Sequence, residues 1–226
     1  MYIFIGSNSG ISKKILSNFS KKELIIALYN TSKPKIFMKN IVYKKCDIRK
    51  NKFKSIINLI KKNKDKKITL VNFSSLKNDK LSLKITKKDF EDTFDTNLFG
   101  YFNLIKELLP IMMQNNWGRI INISSTGGLR GDVGTSLYTS SKIAAVGLFN
   151  VLSKEYAKFN ITFNTISLGS FDTGMFEKLP KKIKDKILEN IPSKKNGTFN
   201  NIVNGIKFLK QSNYVNRSVI KIDGGM

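Results

Sequence analysis

The sequence predicts an α/β domain: a doubly wound parallel sheet of about seven strands flanked by helices. Short apolar runs recur along the chain, at Tyr2 to Ile5, Leu24 to Leu28, Ile41 to Tyr43, Ile68 to Val71, Arg119 to Ile123, Ile161 to Ser167 and Val219 to Met226. Between them lie stretches with apolar residues at helical spacing, and strand alternating with helix is the pattern of parallel sheets. The first run also breaks at once into a glycine-containing turn, Gly6-Ser-Asn8-Ser9-Gly10-Ile11-Ser12, ahead of the first helix. That junction is where such folds cradle a phosphate with backbone N–H groups.

The totals narrow the function. At 226 residues the chain is one domain with room for a full core, residues 1–226 showing no internal repeat, linker or second unit. No apolar run approaches the roughly 18 residues of a membrane span. The N-terminal strand meets Gly6 too soon for a signal-peptide core. Cys46 is the only cysteine, which fits a reducing, cytoplasmic setting. With no histidine, Ser-His-Asp hydrolysis and histidine metal sites are excluded. The formal charge of +24 comes from 40 basic residues, of which only Arg49, Arg119, Arg130 and Arg217 are arginine. Lysine, asparagine, isoleucine and phenylalanine share A/T-rich codons, so codon bias explains much of the excess. Dispersed lysines without a recognition motif argue against a nucleic-acid module, although such a surface binds polyanions at low salt and suits an acidic protein partner.

The elements follow in order. A first helix runs from about Lys13 to Phe19. The loop after the second strand, Tyr29-Asn30-Thr31-Ser32-Lys33, lacks the acidic residue that holds the ribose hydroxyls of NAD. Asn30, Thr31, Ser32 and Lys33 could instead hold a 2′-phosphate, or form an ordinary polar loop, and Pro34 argues against a long second helix. Cys46-Asp47-Ile48 follows the third strand, and Asp47 could cap a helix from Phe53 to Lys61. Asn72-Phe73-Ser74-Ser75 follows the fourth. Thr86-Lys-Lys-Asp89 is a capping-box start. The helix beyond it lays Phe90, Phe94, Asn97, Leu98, Tyr101, Phe102 and Ile105 on one stripe. An amide on that face needs hydrogen-bond partners. After the sixth strand come Leu168-Gly169-Ser-Phe171-Asp-Thr173-Gly174, a lysine-rich amphipathic run from Met175 to Ile191, and a last helix from Asn201 to Lys210.

The densest chemistry lies in residues 118 to 147. Ser125 ends the fifth strand, and Tyr138 and Lys142, four apart, share a helix face. A hydroxyl, a phenol and an ammonium converging on one point suit carbonyl reduction or alcohol oxidation. A phenol with pKa near 10 needs a neighbouring cation to work near neutral pH, and Lys142 is placed to be one.

Ser125, Tyr138 and Lys142, after Gly-Arg-Ile-Ile-Asn-Ile-Ser-Ser, resemble the active-site segment of the short-chain dehydrogenase/reductases, most closely the 3-oxoacyl-acyl-carrier-protein reductase branch. The resemblance spans the chain and implies a Rossmann fold with an NAD(P) site. It departs at Ser12, where the third glycine is usual, at Phe73 to Ser75, where Asn-Ala-Gly is expected after the retained Asn72, and at Leu168, usually proline. By resemblance, Tyr138 donates the proton, Ser125 bonds the carbonyl oxygen, Lys142 binds the nicotinamide ribose and acidifies Tyr138, and Asn97, 28 residues before Ser125, holds a relay water. Gly6, Asn8, Ser9, Gly10, Ile11, Asn30, Thr31, Asp47, Ile48, Asn72, Phe73, Ser74, Tyr138, Lys142, Gly169, Phe171 and Thr173 are the implied cofactor contacts, Asp47 at the adenine, Phe171 and Thr173 at the carboxamide. The run from Met175 is then a substrate lid.

The expected activity is interconversion of a ketone and a secondary alcohol, with NADP(H) preferred over NAD(H). The first substrate is a 3-oxoacyl thioester presented by acyl carrier protein, the second a keto-sugar or other surface-glycan intermediate. A dinucleotide-binding scaffold without turnover is the reading of another class. A homotetramer or dimer is expected, with Phe99, Phe102, Ala145 and Phe149 available on the two long helices. No metal, specific nucleic acid or membrane is expected as a partner.

Overall fold

The computed structural model describes residues 1–19, 21–33, 38–63, 66–173, 176 and 179–226. Pro34, Gly174 and Met175 lie outside the described residues. Strands β1 (Tyr2–Ile5), β2 (Ile25–Tyr29), β3 (Ile41–Lys45), β4 (Ile68–Asn72), β5 (Gly118–Ser125), β6 (Ile161–Leu168) and β7 (Val219–Ile222) form one seven-stranded sheet in the order β3-β2-β1-β4-β5-β6-β7. Every pairing is parallel. The seven predicted strands are all present; β3, β4, β5 and β6 run one to three residues longer than their apolar runs, and β7 ends at Ile222, four residues short of Met226.

Alternation along each strand divides the core into two layers. Ile3 and Ile5 face the layer that holds helices α2 (Lys54–Lys62), α4 (Gly100–Gln114) and α6 (Ser136–Tyr156). Tyr2 and Phe4 face the opposite layer, with α1 (Gly10–Ile15) and α8 (Phe199–Gln211). Phe19 packs edge-on against both rings, at centroid distances of 4.8 and 5.2 Å. β5 and β6 are buried over nearly their whole length, with polar residues such as Asn122, Thr162, Asn164 and Ser167 buried among the apolar ones.

The chain winds outward from β1 in both directions, and the reversal between β1 and β4 opens a crevice at the carboxyl edge of the sheet. Asn72 lies opposite Asn122, and Ser125 opposite Leu168, so one edge gathers the ends of β4, β5 and β6.

Several boundaries differ from the sequence reading. α1 starts at Gly10, because Ser9 caps it by accepting a bond from the Ser12 amide at 3.1 Å. Asp47 caps a 3₁₀ turn over Ile48–Lys50 rather than the next helix, which begins at Lys54 without a side-chain cap. The capping box at Thr86 and Asp89 opens α3 (Lys87–Phe94) as expected. The stripe beyond it is interrupted by a π-helical turn over Asp95–Phe99, and Phe90 is half exposed, stacked on Phe94 at 4.4 Å. The loop after β5 holds a short helix, α5 (Thr126–Arg130). Ala145 and Phe149 face the core rather than a neighbouring subunit, whereas Phe99, Ile143 and Val151 are exposed. The lysine-rich run contains α7 (Lys181–Asn190), a helix with no buried residue. None of the described helices is long and apolar enough to cross a membrane.

Candidate active site

β1 delivers Gly6 with φ 71°, a left-handed conformation glycine adopts at little cost. A Cβ there would lie 2.7 Å from the Ser74 amide nitrogen, so the glycine turn and the loop after β4 meet backbone to backbone. Asn8 reaches across to donate a hydrogen bond to the Ser32 hydroxyl, tying the turn to the loop after β2.

The crevice has two lobes. One, of about 460 Å³, is lined by Gly6, Asn8, Asn30, Thr31, Asp47 and Ile48 among others; the second, of about 490 Å³, by Gly10, Ser125, Tyr138, Lys142, Gly169 and Thr173 among others. Ser9, Phe73 and Ser75 line both and form the wall between them. Most of the cofactor residues expected from the sequence therefore border one crevice. Ser32 and Lys33 sit exposed beyond the lining of the first lobe, Lys33 over the Tyr43 ring at 5.9 Å.

Three expected contacts already have other engagements. Asp47 is gripped by Arg49 through two bonds of 3.0 and 2.8 Å, and the Arg49 hydrogen bond is the main cause holding its carboxyl below the usual range. Arg49, unmarked by the sequence reading, also lines the first lobe. Asn72 accepts from the Ser74 amide and hydroxyl at 3.0 and 2.7 Å and donates to Asn122 at 3.2 Å, so its side chain shapes the loop. The Phe73 ring is buried and stacked on Phe4, with ring centres 6.1 Å apart.

Asn97 is buried, and its amide is fully used. Oδ1 accepts from the Leu76 amide at 2.6 Å, while Nδ2 donates to the Leu76 carbonyl and the Ser141 hydroxyl, each at 2.9 Å. The side chain is thus a structural clamp on the segment after β4, and a relay water finds no free side-chain donor there.

Tyr138 lies in the first turn of α6, with Ser125 at the end of β5 and the backbone of Gly128 against its ring; a Cβ on Gly128 would come within 2.8 Å of Tyr138 Cε1. Burial pushes the phenol pKa up, opposed by hydrogen bonds from the Ser75 and Ser125 hydroxyls and by the nearby Lys77 cation. Lys142 is 2% exposed, and its Nζ lies 5.6 Å from the Tyr138 ring centre. Among the described residues its hydrogen-bond partner is the Ile123 carbonyl at 3.2 Å, which leaves two ammonium donors without a partner among those residues at the second lobe. Desolvation lowers its own pKa to about 8. The sequence assigned the acidifying role to Lys142 alone; in the free protein Ser75, Ser125 and Lys77 supply the opposing effects. Ser75 and Lys77 were missed. For Ser75 the sequence signal was the departure from the expected pattern after Asn72; for Lys77 there was none.

Beyond β6, Gly169 packs so closely on the C-terminal strand that a Cβ would lie 2.6 Å from Asp223 Cα. Phe171 is buried and bridged to Gly197, and its carbonyl accepts from the Thr173 amide at 2.7 Å. Thr173 is thereby held at the rim of the second lobe.

The profile of the short chain dehydrogenase family matches residues 1–184. This chain belongs to the short-chain dehydrogenase family. A 3-oxoacyl-acyl-carrier-protein reductase of Staphylococcus epidermidis is 33% identical over 159 residues, 70% of this chain and 65% of the relative. The corresponding protein of Aquifex aeolicus is 35% identical over 176 residues, 77% of this chain and 69% of the relative. The match therefore spans about two thirds of these relatives. Among solved structures, ElxO with NADP bound superposes with a TM-score of 0.88 at 26% identity, covering 99% of this chain and 97% of ElxO. A tyrosine-to-phenylalanine variant of ElxO with NADPH bound gives 0.87 at 27% identity, with the same coverage.

Proposed function

We propose that this short-chain dehydrogenase interconverts a ketone and a secondary alcohol by hydride transfer with NAD(P), and that its first substrate is a 3-oxoacyl thioester presented by acyl carrier protein. The observation that carries the reading is the meeting of Ser125, Tyr138 and the buried Lys142 in the lining of the second lobe, with Lys142 one helical turn from Tyr138.

The crevice fits a dinucleotide on two counts. Two lobes joined at Ser9, Phe73 and Ser75 suit a ligand with two bulky ends and a narrow middle. The two donors of the buried ammonium that have no partner among the described residues suit a ribose diol. When bound there, a reduced nicotinamide supplies the hydride. Tyr138 gives its proton to the substrate oxygen, Ser125 donates a hydrogen bond to that oxygen, and Lys142 holds the ribose and steadies the resulting phenolate. Donors fixed before reaction and aimed at developing negative charge are the main physical source of acceleration. Asn97 acts by clamping the segment that closes the lobe rather than through a water on its amide.

NADPH is the proposed cofactor. The loop after β2 offers Asn30, Thr31, Ser32 and Lys33 and no carboxylate to repel a 2′-phosphate, and the ElxO structures contain NADP and NADPH. Exposed Phe99, Ile143 and Val151 on or beside α4 and α6 support a homo-oligomer. α7, lacking any buried residue beside the second lobe's chain segment, is the proposed lid. A surface-glycan ketone is the second reading, favoured by the hydroxyl of Ser75 in the lobe where the family pattern has glycine.

The test measures oxidation of NADPH and NADH against a short 3-oxoacyl thioester. Turnover with NADPH at least about tenfold more efficient supports the whole reading, a tenfold preference being about 1.4 kcal/mol. Cofactor binding without turnover moves the substrate to the glycan ketone, and absence of binding removes the enzyme reading.

A further inference from the structure

Among the described residues that line the first lobe, Asp47 and Arg49 are the two that carry a charge. Both belong to one 3₁₀ turn, which Asp47 caps and which is fastened to the helices behind it. Ile48 is buried, and α4 comes so close that a Cβ on Gly100 would meet the Ile48 carbonyl carbon and oxygen at 2.8 Å. Asn103 of the same helix donates to the Asn51 side chain at 2.9 Å. Arg49 also reaches α3, where Nη1 lies 3.5 Å from one oxygen of Asp92 and Lys88 pairs with the other at 3.0 Å. On this fixed turn Arg49 closes its fork on Asp47. Its backbone N–H and Nε donate to one carboxylate oxygen at 3.1 and 3.0 Å, and Nη2 donates to the other at 2.8 Å. A two-point grip of this kind holds both groups in one geometry, and the Asp47 side chain is only 14% exposed, so solvent screens the pair little.

We propose that Arg49 sets the cofactor preference of the first lobe: by cancelling the charge of Asp47 it admits a 2′-phosphate, and so favours NADP(H) over NAD(H). The inference rests on the reading of the crevice as a dinucleotide site. NADP and NAD differ by that one anionic group, so a bare carboxylate in the lobe penalises the first and leaves the second almost untouched. The loop after β2 cannot supply the cancellation from within the lobe, because its lining residues, Asn30 and Thr31, are neutral. Arg49 also keeps something in reserve. Three of its five side-chain N–H groups go to Asp47 and Asp92, and the other two have no partner among the described residues, which leaves donors for an anion. Lysine could match the charge but not the fork that holds Asp47.

The experiment titrates NADP⁺ and NAD⁺ separately, by calorimetry, into wild type, Arg49→Met, Arg49→Lys and the double variant Asp47→Asn with Arg49→Met. Thermal melts of each protein alone confirm that it is folded, and no ketone is present. The expected result for Arg49→Met is NADP⁺ affinity about tenfold lower, with NAD⁺ affinity changed by less than about twofold. Removing the exposed carboxylate as well should restore most of the lost NADP⁺ preference in the double variant, and Arg49→Lys should fall between wild type and Arg49→Met. Equal losses for the two cofactors in Arg49→Met would mark a merely structural turn and overturn the inference. A preference that the double variant fails to restore overturns it too, as does a wild type that binds NAD⁺ at least as tightly as NADP⁺. A ratio that moves as expected in a protein that reduces no ketone leaves the role of Arg49 standing and removes only the reaction. Turnover of a ketone with an unmoved ratio does the reverse.

Discussion

Replacing Lys142 by methionine separates the cost of this site from its use. Lys142 is 2% exposed, and burial lowers its pKa from 10.5 to about 8. A buried amine with a depressed pKa carries a penalty in its charged form. The unfolded chain then binds more protons than the folded one between those two values, so stability rises with pH across that window. Below about pH 8 the penalty is complete; at about 1.4 kcal/mol per pH unit it amounts to roughly 3 kcal/mol. Methionine keeps most of the stem but loses the bond to the Ile123 carbonyl at 3.2 Å, at a cost of about 1 kcal/mol. The variant is therefore expected to be about 2 kcal/mol more stable at neutral pH, or roughly 4–8 °C in Tm for a chain of this size. Urea and thermal denaturation without cofactor, at about pH 7 and about pH 10, measure this, and the advantage should vanish at the higher pH. Turnover should fall by about two orders of magnitude or more. A variant less stable at neutral pH, or an advantage independent of pH, would refute the account of Lys142 as a strained, functional cation.

Gly128→Ala forces a methyl group to within 2.8 Å of Tyr138 Cε1, where the ring must move. A displacement on that scale should lower kcat by about 100-fold with little change in cofactor Kd, read by steady-state kinetics and fluorescence titration. Asn97→Ala strips the Leu76 backbone and the Ser141 hydroxyl of their partner, and denaturant melts should show a loss of about 2–3 kcal/mol. Because the same clamp holds a segment that lines the second lobe, its kcat should fall as well; full activity in a destabilised Asn97→Ala would detach the segment from catalysis.

The sheet was legible because its signal is local. Apolar runs such as Tyr2 to Ile5 and Ile68 to Val71 are bounded by polar turns, and burial on both faces makes each run continuous. Ser125, Tyr138 and Lys142 were legible because a strand end and one helical turn fix their spacing. What escaped depends on contacts between distant segments. The Asn97 clamp needs Leu76, and the engagement of Asp47 by Arg49 needs the 3₁₀ turn that their own bonds stabilise. Ala145 and Phe149 carry apolar side chains like Ile143 and Val151, and only the rotation of α6 on the sheet decides which pair is buried. Ser75 was visible in sequence only as a departure from a pattern, since its meaning comes from where the fold places Tyr138.

The most direct measurement is NADPH oxidation by wild type and Tyr138→Phe against a short 3-oxoacyl thioester, with cofactor affinity measured alongside. The account predicts unchanged NADPH binding and a fall in turnover of at least about 1,000-fold in the variant, since the phenol is the proton donor. A Tyr138→Phe protein that reduces the thioester at near the wild-type rate would contradict it.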